Sequence, residues 1–394
     1  ASCGLIPFAT SYAPFLTTTD TFTPFGLLGA LSLLAMGLGR WRGGWRHYAL
    51  AGALAGLAHL TRADGLLLVG VLALMAVWPR PESGEKTRLH GFKRGLAWTG
   101  AGLAAYGLVM LPWFIRNWRA IGTPLPVGGT ATIWLRGYDE IVRYPAAITA
   151  DDFFAWGWEN IVRSRWEALV NNLGTFVAVE GLIVLSPLIV IALIRRWRHP
   201  LLLPVAVYAI LLHLAMTVAF AYPGYRGGLF HSAAALIPWW MAAGVLGLDD
   251  VVDWVARHRR HWRAATAKTV FTAAAIVIAA LLTVAVSRAR LGRSGASDPL
   301  IRAAREVLPE DAVVMSNDPA AVYYHTGLSG VVVPDSGPEA IRALARRYGV
   351  THVLLDENRT QPLNDLYEGR EQPPFLRPIP QDVADSVRVF EVLP

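Results

Sequence analysis

The stretch LPWFIRNWRAIGTPLP, residues 111–126, marks the point where the chain leaves a membrane and enters a polar loop. It ends an apolar run over 95–115, and about twenty apolar helical residues cross a bilayer core of ~30 Å. Trp113 and Trp118 flank the first polar side chains after that run, as aromatic residues do at membrane interfaces. Gly122 and the two prolines that follow it predict the end of the helix and the start of an extended loop.

The composition is typical of a membrane protein. Of 394 residues, 54% are hydrophobic and only 16% charged, and the mean hydropathy is +0.38. The formal net charge of +7 is unevenly distributed, because 298–394 holds 15 acidic and 9 basic residues, a net of −6, which leaves +13 for the rest. Most of that positive charge lies in short loops between apolar runs, which indicates cytoplasmic loops rather than a nucleic-acid surface. The single cysteine excludes a disulfide framework and a thiolate metal site within the chain.

The apolar runs predict a mostly helical bundle with about eight membrane-crossing segments. These runs are 22–39, 48–60, 65–78, 95–115, 176–194, 201–220, 229–248 and 269–286. If successive segments cross the membrane in opposite directions, four basic loops lie on the same side. These loops are 40–47, 79–94, 195–199 and 249–268, with three, five, three and five Lys or Arg residues. The alternation requires 48–78 to cross twice. Because its two limbs are shorter than a bilayer core, we predict a hairpin sunk into the bundle with Arg62 and Asp64 at its tip.

The sequence divides into two predicted domains. Residues 1–290 are the transmembrane bundle, with an outer loop at about 116–175, and 291–394 are a small α/β domain on the outer face. In the second domain, predicted helices at 299–308, 319–326 and 338–348 alternate with predicted strands at 312–316, 331–333, 351–356 and 387–392. This alternation predicts a parallel sheet, and the domain, with its net negative charge, is expected to fold alone. It contains no glycine-rich phosphate-binding motif.

Ionisable residues at the membrane boundary are costly, which makes them candidate site residues. Arg62 and Asp64 form either a structural ion pair at the hairpin tip or part of a phosphate site. Asp20 ends a polar cluster, Thr17–Asp20, just before the first apolar run. It is either the N-cap of the helix predicted there or a carboxylate of the site. Glu180 is either a buried structural carboxylate or an acceptor for sugar hydroxyls.

Two further cations lie where apolar runs end. Arg116 either snorkels to the interface or holds an anion at the mouth of a site. Arg226, with His231 and the nearby tyrosines, forms either an interfacial belt or a second anion site. The bundle has no His-Glu-x-x-His motif, so nothing in the sequence indicates a metal.

Three motifs resemble those of bacterial polytopic glycosyltransferases. LTRADGLL at 60–67 resembles their Leu-Thr-Arg-Pro-Glu-Gly-Leu-Leu hairpin, with the acid kept but shortened to Asp64. PWFIRN at 112–117, with GTP at 122–124, resembles their Pro-Trp-x-x-Arg-Asn exit. VMSNDP at 314–319, followed by YYHTG at 323–327, resembles the start of their outer domain. The chain is therefore similar to the GT-C superfamily, on its protein-mannosyltransferase-like branch (glycosyltransferase family 39).

The resemblance implies sugar transfer from a polyprenyl-phosphate donor to a hydroxyl of a glycan, lipid or protein acceptor on the outer face of the bacterial inner (plasma) membrane. Such a reaction needs a carboxylate base and cations that stabilise the departing phosphate. The implied catalytic residues are Asp20 and Asp64, and the implied phosphate-binding residues are Arg62, Arg116, Arg226 and His231. Arginine can hold a phosphate without a metal, so we expect no divalent metal and no cofactor besides the donor.

Other functions remain open. The family's main catalytic acid lies in its first outer loop, which we expect upstream of Ala1, so the chain is expected to be N-terminally incomplete and inactive alone. In a secondary transporter or a lipid-linked sugar flippase, the same arginines would line a substrate path through the membrane. Transporters often contain internal repeats, and none is visible in this sequence. A membrane-anchored binding protein that uses its α/β domain would leave the buried charges unexplained.

Overall fold

The computed structural model describes Leu5, Ala9 and residues 11–16, 18, 20–79, 85–146, 148–259, 261–291 and 298–393, without the side chains of 85–90, 127, 290 and 291. Thr17, Thr19 and residues 80–84 of the predicted basic loop lie outside this range. The structure is a helical bundle with a small five-stranded α/β unit, which confirms the predicted fold class. The compact units are Ala1–Ile133 with Trp158–Arg288, and Trp134–Gly157 with Ala289–Pro394.

The described residues of the first unit form nine longer helices. They are α1 Phe22–Arg42, α2 Trp45–Thr61, α3 Leu66–Val77, α4 Glu85–Ile121, α5 Trp158–Thr175, α6 Ser186–Arg195, α7 Leu203–Leu214, α8 Ile237–His258 and α9 Ala264–Leu291. Short helical turns at Ala13–Phe15, Ala63–Gly65, Val127–Ala131, Ala221–Pro223, Leu229–Ser232 and Ala233–Leu236 connect them. Within the described residues, four segments are long and apolar enough to cross a membrane: Phe22–Arg42, Gly91–Ile121, Ala221–His258 and Ala264–Ala289.

The helix exit around residue 116 has the predicted form. Pro112 lies inside α4 without ending it, and the helix runs to Ile121 before Gly122 adopts a left-handed φ of 75°. Asn117 is buried, and its amide donates a hydrogen bond to the Pro124 carbonyl over 3.2 Å. This bond fixes the loop against the last turn of the helix.

The predicted hairpin is present as α2 and α3, with Arg62 in an extended conformation between α2 and the turn Ala63–Gly65. The helices have 17 and 12 residues, or roughly 25 and 18 Å at the usual helical rise. Gly65 is required at the turn, because a Cβ there would lie 2.4 Å from the His59 backbone nitrogen. The hairpin therefore holds its polar tip at a fixed place against the bundle.

The single span predicted over 176–194 is wrong. A π-helical turn, Phe176–Glu180, precedes a break in which Leu182 and Ile183 have left-handed φ values of 49° and 61°. α6 begins only at Ser186, whose hydroxyl donates to the Val177 carbonyl over 2.9 Å. The hydroxyl takes the place of a backbone donor, which is how a non-helical segment is tolerated inside a helical bundle.

The polar turn predicted at 222–228 is also helical in part. It continues as the π-helical turn Gly224–Gly228, where Gly227 has φ 124°. A third such turn, Ala215–Ala219, extends α7. π-Helical turns inside longer helices often occur at functional sites, and these two turns come before the segment that carries His231.

The described residues of the α/β unit form three longer helices and five strands. The helices are α10 Pro299–Val307, α11 Pro319–Thr326 and α12 Pro338–Tyr348, and the strands are β1 Val314–Ser316, β2 Gly330–Val332, β3 His352–Leu355, β4 Leu376–Ile379 and β5 Arg388–Val392. The strand order is β2-β1-β3-β5-β4. β2, β1 and β3 are parallel, but β5 pairs antiparallel with β3 and with β4. The predicted parallel sheet is thus wrong for β5, and β4 was not predicted at all. The chain reaches both strands without a helical crossover comparable to α11 or α12.

Part of the segment predicted as an outer loop belongs to the α/β unit. The Ser336 hydroxyl donates to the Tyr144 carbonyl over 2.8 Å and accepts a bond from the Tyr144 nitrogen over 3.2 Å. Arg143 lies 3.5 Å from the Asp335 carboxylate, and the Tyr144 ring packs against the core of the unit. Two separate chain segments therefore build this unit.

We expect the free energy of unfolding of the α/β unit to fall as the pH drops below the ordinary histidine pKa of about 6.5. Burial lowers the pKa of His352 in the folded unit, against weaker raising effects of Glu391 and Asp311. The unfolded chain then takes up a proton before the folded one does, so stability is present above that pH and is lost as the pH falls through the lowered pKa.

Hydrogen exchange of the β3 amides in the whole protein, corrected for intrinsic rates, measures this loss of stability. His352→Gln should remove most of the dependence between pH 7 and pH 5, while His325→Gln, in α11, should keep it. An unchanged pH dependence in His352→Gln would contradict the assignment.

Candidate functional site

Three chain segments bring polar side chains together in the first unit. Asp20 and Thr21 precede α1, Arg62 and Asp64 form the hairpin tip, and His231 and Ser232 end the helical turn Leu229–Ser232. We call these six residues the carboxylate cluster. Four of them were predicted as site residues from the sequence, and the structure joins them by direct contacts.

Asp64 fixes the Arg62 guanidinium. The arginine Nε and Nη2 donate to the same carboxylate oxygen, Asp64 Oδ2, over 3.1 and 2.8 Å, and both side chains are 21% exposed. Ser232 Oγ lies 2.5 Å from Oδ2 and 2.8 Å from the Gly228 carbonyl. One hydroxyl proton serves one acceptor at a time, and the carboxylate is the stronger acceptor. These three donors surround Oδ2, so this oxygen of Asp64 orients Arg62, and the catalytic role of Asp64 stays a prediction.

Asp20 is the more accessible carboxylate of the cluster, with a side chain that is 36% exposed. Its Oδ1 accepts hydrogen bonds from the Thr21 nitrogen over 2.5 Å and the Thr21 hydroxyl over 3.2 Å. The N-cap residue of α1 is Thr21, so Asp20 does not occupy the cap position. Arg62 Nη1 reaches the same Thr21 hydroxyl over 3.4 Å, which links the two carboxylates through one threonine.

His231 stands beside Asp20. Its ring stacks on Phe22 with 4.1 Å between ring centroids, and its Nδ1 lies 3.7 Å from Asp20 Oδ1. Nδ1 is buried and makes no hydrogen bond to any residue that the structure describes. At this distance the two groups form an ion pair only when the imidazole is protonated, so His231 can receive or hold a proton next to the exposed carboxylate.

The other two predicted cations are placed elsewhere. Arg116 is exposed, donates to Asn117 Oδ1 over 3.0 Å and lies over the Trp113 ring at 4.9 Å. This is the arrangement expected of an interfacial arginine, and its role in phosphate binding stays a prediction. Arg226 is exposed and hydrogen-bonds the side chain of Tyr225, and its role likewise stays a prediction.

Sequence reasoning missed Thr21 and Ser232. Each is adjacent to a predicted residue, Asp20 or His231, but a lone hydroxyl has no spacing that distinguishes it from the many others in the chain. Ser232 comes into reach of Asp64 only through the packing of segments 168 residues apart. No group of three or more His, Cys, Asp or Glu side chains that could hold a metal ion occurs in the described ranges.

Comparison with solved structures finds a distant likeness. No protein-family model and no curated protein sequence matches the chain. The chain is similar to the crystal structure of the Archaeoglobus fulgidus oligosaccharyltransferase in the apo form, with 11% identity and a TM-score of 0.38. The match covers 90% of this chain and 56% of that one, so the chain spans little more than half of its length. A likeness of this degree carries no argument about substrate or mechanism, which must come from the site itself.

Proposed function

We propose that the chain belongs to a membrane glycosyltransferase that moves a sugar from a polyprenyl-phosphate donor to an acceptor hydroxyl on the outer face. One observation carries this proposal. Arg62, held in place by Asp64, is linked through the Thr21 hydroxyl to the more exposed carboxylate of Asp20, at the ends of apolar helices. The sequence resemblance to the GT-C superfamily and its family 39 branch supports it, and the bacterial inner membrane and the outer-face orientation are parts of the same proposal.

Arg62 is suited to hold the phosphate of the donor. Its guanidinium is oriented by two bonds to Asp64, and it lies at a hairpin tip flanked by apolar helices. Arginine stabilises phosphate oxygens by charge-assisted hydrogen bonds, which are strongest where water is scarce. A phosphate at this place would have its lipid chain in the bilayer and its sugar near Asp20.

Asp20 is suited to accept the proton of the acceptor hydroxyl. As the acceptor oxygen bonds to the anomeric carbon, the bond from that carbon to the phosphate oxygen breaks, and the hydroxyl proton passes to the carboxylate. His231, 3.7 Å away, can then take the proton. The phosphate leaves as an anion that Arg62 neutralises, so no metal is required by this scheme.

A transporter or a lipid-linked sugar flippase is the second candidate, and one observation favours it. The bundle contains a broken helix at residues 181–185 and π-helical turns at Ala215–Ala219 and Gly224–Gly228. Discontinuous helices are common in transporters, where they line substrate paths. That class predicts movement of an intact donor, whereas the enzyme cleaves it.

The deciding experiment uses the full-length protein in liposomes with a polyprenyl-phosphate sugar labelled in the sugar. The enzyme should release unlabelled polyprenyl phosphate and label an added acceptor, and Asp20→Asn and Arg62→Ala should abolish most of this. Labelled donor that crosses the bilayer intact, with no bond cleaved, would instead establish the transporter.

We also expect a defined orientation, because the Lys and Arg residues concentrate in four loops. A reporter enzyme fused after Pro394 should be active in the outer compartment, and one inserted at 79–94 should be active in the cytoplasm. Cytoplasmic activity of the fusion after Pro394 would contradict the topology and remove the α/β unit from the outer face.

A further inference from the structure

A second ionisable site lies inside the bundle and takes no part in the carboxylate cluster. Glu180, at the end of the π-helical turn, is 0% exposed. Its Oε2 accepts a hydrogen bond from Trp240 Nε1 over 2.7 Å, and its Oε1 lies 3.2 Å from His213 Nε2. The Phe176 ring packs edge-on against both His213 and Trp240. A buried charge in such surroundings is costly unless it is paired.

The hydrogen bonding of His213 determines how many protons the pair holds. His213 Nδ1 lies 2.8 Å from the Ala209 carbonyl, which can only accept, so Nδ1 carries a hydrogen. In a neutral ring Nε2 is then an acceptor, and it faces Glu180 Oε1, another acceptor. Neither atom has a hydrogen-bond partner elsewhere among the described residues. One proton between them resolves the conflict, either as imidazolium with carboxylate or as neutral imidazole with carboxylic acid.

No other positive charge is in contact with the pair among the residues that the structure describes. Tyr12 and Tyr208 are both fully buried, and each interacts electrostatically with Glu180. Tyr208 also interacts with Arg62 and Asp64. Among the described residues, Glu180 makes an ion pair with His213 and with no arginine or lysine. The shared proton is therefore what keeps the pair neutral.

The pair is tied to the carboxylate cluster through two elements. α7 carries His213 and also Tyr208, whose hydroxyl lies 3.4 Å from the Ser232 carbonyl and donates to it. α8 carries Trp240 and is connected to Ser232 by the short helical turn Ala233–Leu236. Glu180 therefore contacts the two helices, α7 and α8, that are also connected to Ser232, whose hydroxyl lies against the Asp64 carboxylate.

A broken helix lies next to Glu180. Leu182 and Ile183 adopt left-handed conformations that are uncommon for residues with a side chain and strained for a β-branched one. Such conformations persist only where the surrounding structure holds them. The bonds of Glu180 to Trp240 and His213 are among the contacts that hold this break.

We propose that Glu180 and His213 form a proton-binding site inside the bundle, and that its single proton positions Ser232 and Asp64 for the reaction. The catalytic consequence rests on the proposed glycosyltransferase function, whereas the proton site itself does not. Glu180 and His213 are positioning residues, because neither contacts the cluster. When the pH is raised, the proton passes to water, and the carboxylate and the imidazole lone pair then repel each other.

Glu180→Gln in the full-length protein removes the shared proton but keeps hydrogen bonds to His213 and Trp240. The amide nitrogen can donate to His213 Nε2 and the amide oxygen can accept from Trp240, so the geometry is kept and no proton is needed. Wild-type kcat should fall at high pH by about tenfold per pH unit, the slope for loss of one proton. Glu180→Gln should lack this fall and keep KM for the donor, whereas Glu180→Leu should lower kcat at every pH.

The proton itself is measured without any sugar transfer. Protein labelled with ¹⁵N-histidine in lipid gives ring signals from all ten histidines. One titrating signal among them should be lost or should no longer titrate in Glu180→Gln. His213→Gln, whose amide can donate to Glu180 Oε1, assigns that signal by its disappearance and serves as the second variant if Glu180→Gln fails to fold. Glu140→Gln is the control, since Glu140 is also buried but is paired with Arg136 and Arg143.

The outcomes separate the two proposals. A titrating His213 signal that depends on Glu180 supports the proton site even if no sugar is transferred. The proton site is overturned if that signal is absent in the wild type or unchanged in Glu180→Gln. The positioning role is overturned if Glu180→Gln shows the wild-type pH profile, or if it lowers kcat as much as Glu180→Leu at every pH.

Discussion

Replacing Arg62 by alanine should lower sugar transfer by about ten- to a hundred-fold, because one charge-assisted hydrogen bond to a phosphate contributes roughly 1.5–3 kcal/mol. The loss should appear mainly in the apparent affinity for the polyprenyl-phosphate donor. Arg62→Lys should restore the charge but not the paired donors that contact Asp64, so we expect only partial recovery. Arg62 should also show a larger effect than Arg116 or Arg226, because both of those are exposed to solvent.

The measurement is kcat/KM for the donor, normalised to folded protein, for alanine variants of the three arginines. Arg163→Ala is the matched control, since Arg163 is an exposed arginine in α5 whose pair with Glu159 contributes little to stability. If all three alanine variants retain wild-type affinity for the donor, phosphate binding by these arginines is rejected. If Arg116→Ala shows the largest loss, the phosphate lies at the helix exit rather than at the hairpin tip.

Replacing Asp20 by asparagine should lower kcat by about 10²- to 10⁴-fold, the usual contribution of a general base. The amide oxygen can still accept the bond from the Thr21 nitrogen, so the local structure and the donor KM should change little. Asp64→Asn should behave differently. It weakens the hold on Arg62, and its main effect should therefore be on the donor KM.

Single-turnover transfer rates and donor KM values for Asp20→Asn and Asp64→Asn distinguish the two carboxylates. Asp253→Asn is the control, because Asp253 pairs with Lys268 away from the cluster. A nearly unchanged kcat in Asp20→Asn, together with a large loss in Asp64→Asn, would exchange the two roles. Wild-type kcat in both variants would place the base elsewhere.

Features set by local chemistry were predictable from the sequence. The end of α4 at Gly122 follows from the left-handed backbone that glycine allows, and Pro319–Thr326 and Pro338–Tyr348 were predicted to the residue from their prolines and the glycines after them. The hairpin tip followed from the short lengths of its two apolar limbs and from the Lys and Arg residues in the loops on either side of the hairpin. Each of these signals lies within a few residues of the feature that it predicts.

Features set by packing were not predictable in the same way. The break at 181–185 lies between Glu180-Gly181 and Ser186-Pro187. Such residues also occur inside unbroken helices, as Pro112 does in α4, so they did not by themselves predict the break. β4, Leu376–Ile379, contains Pro378 and Arg377, which disfavour a strand assignment, but its edge position tolerates both. The meeting of Asp20 with His231, and of Asp64 with Ser232, depends on helix contacts that no local pattern encodes.

The two-segment α/β unit constrains how the protein is made. Tyr144 and its partner Ser336 are 192 residues apart, so a ribosome that adds about 5–20 residues per second needs roughly 10–40 s to supply the second after the first. During that interval helices α5 to α9 are synthesised, while residues 134–157 lack the sheet they pack against. Residues 134–157 are thus synthesised well before the later segment of the same unit with which they pack. Chaperone binding or proteolytic nicking during biogenesis should concentrate on 134–157.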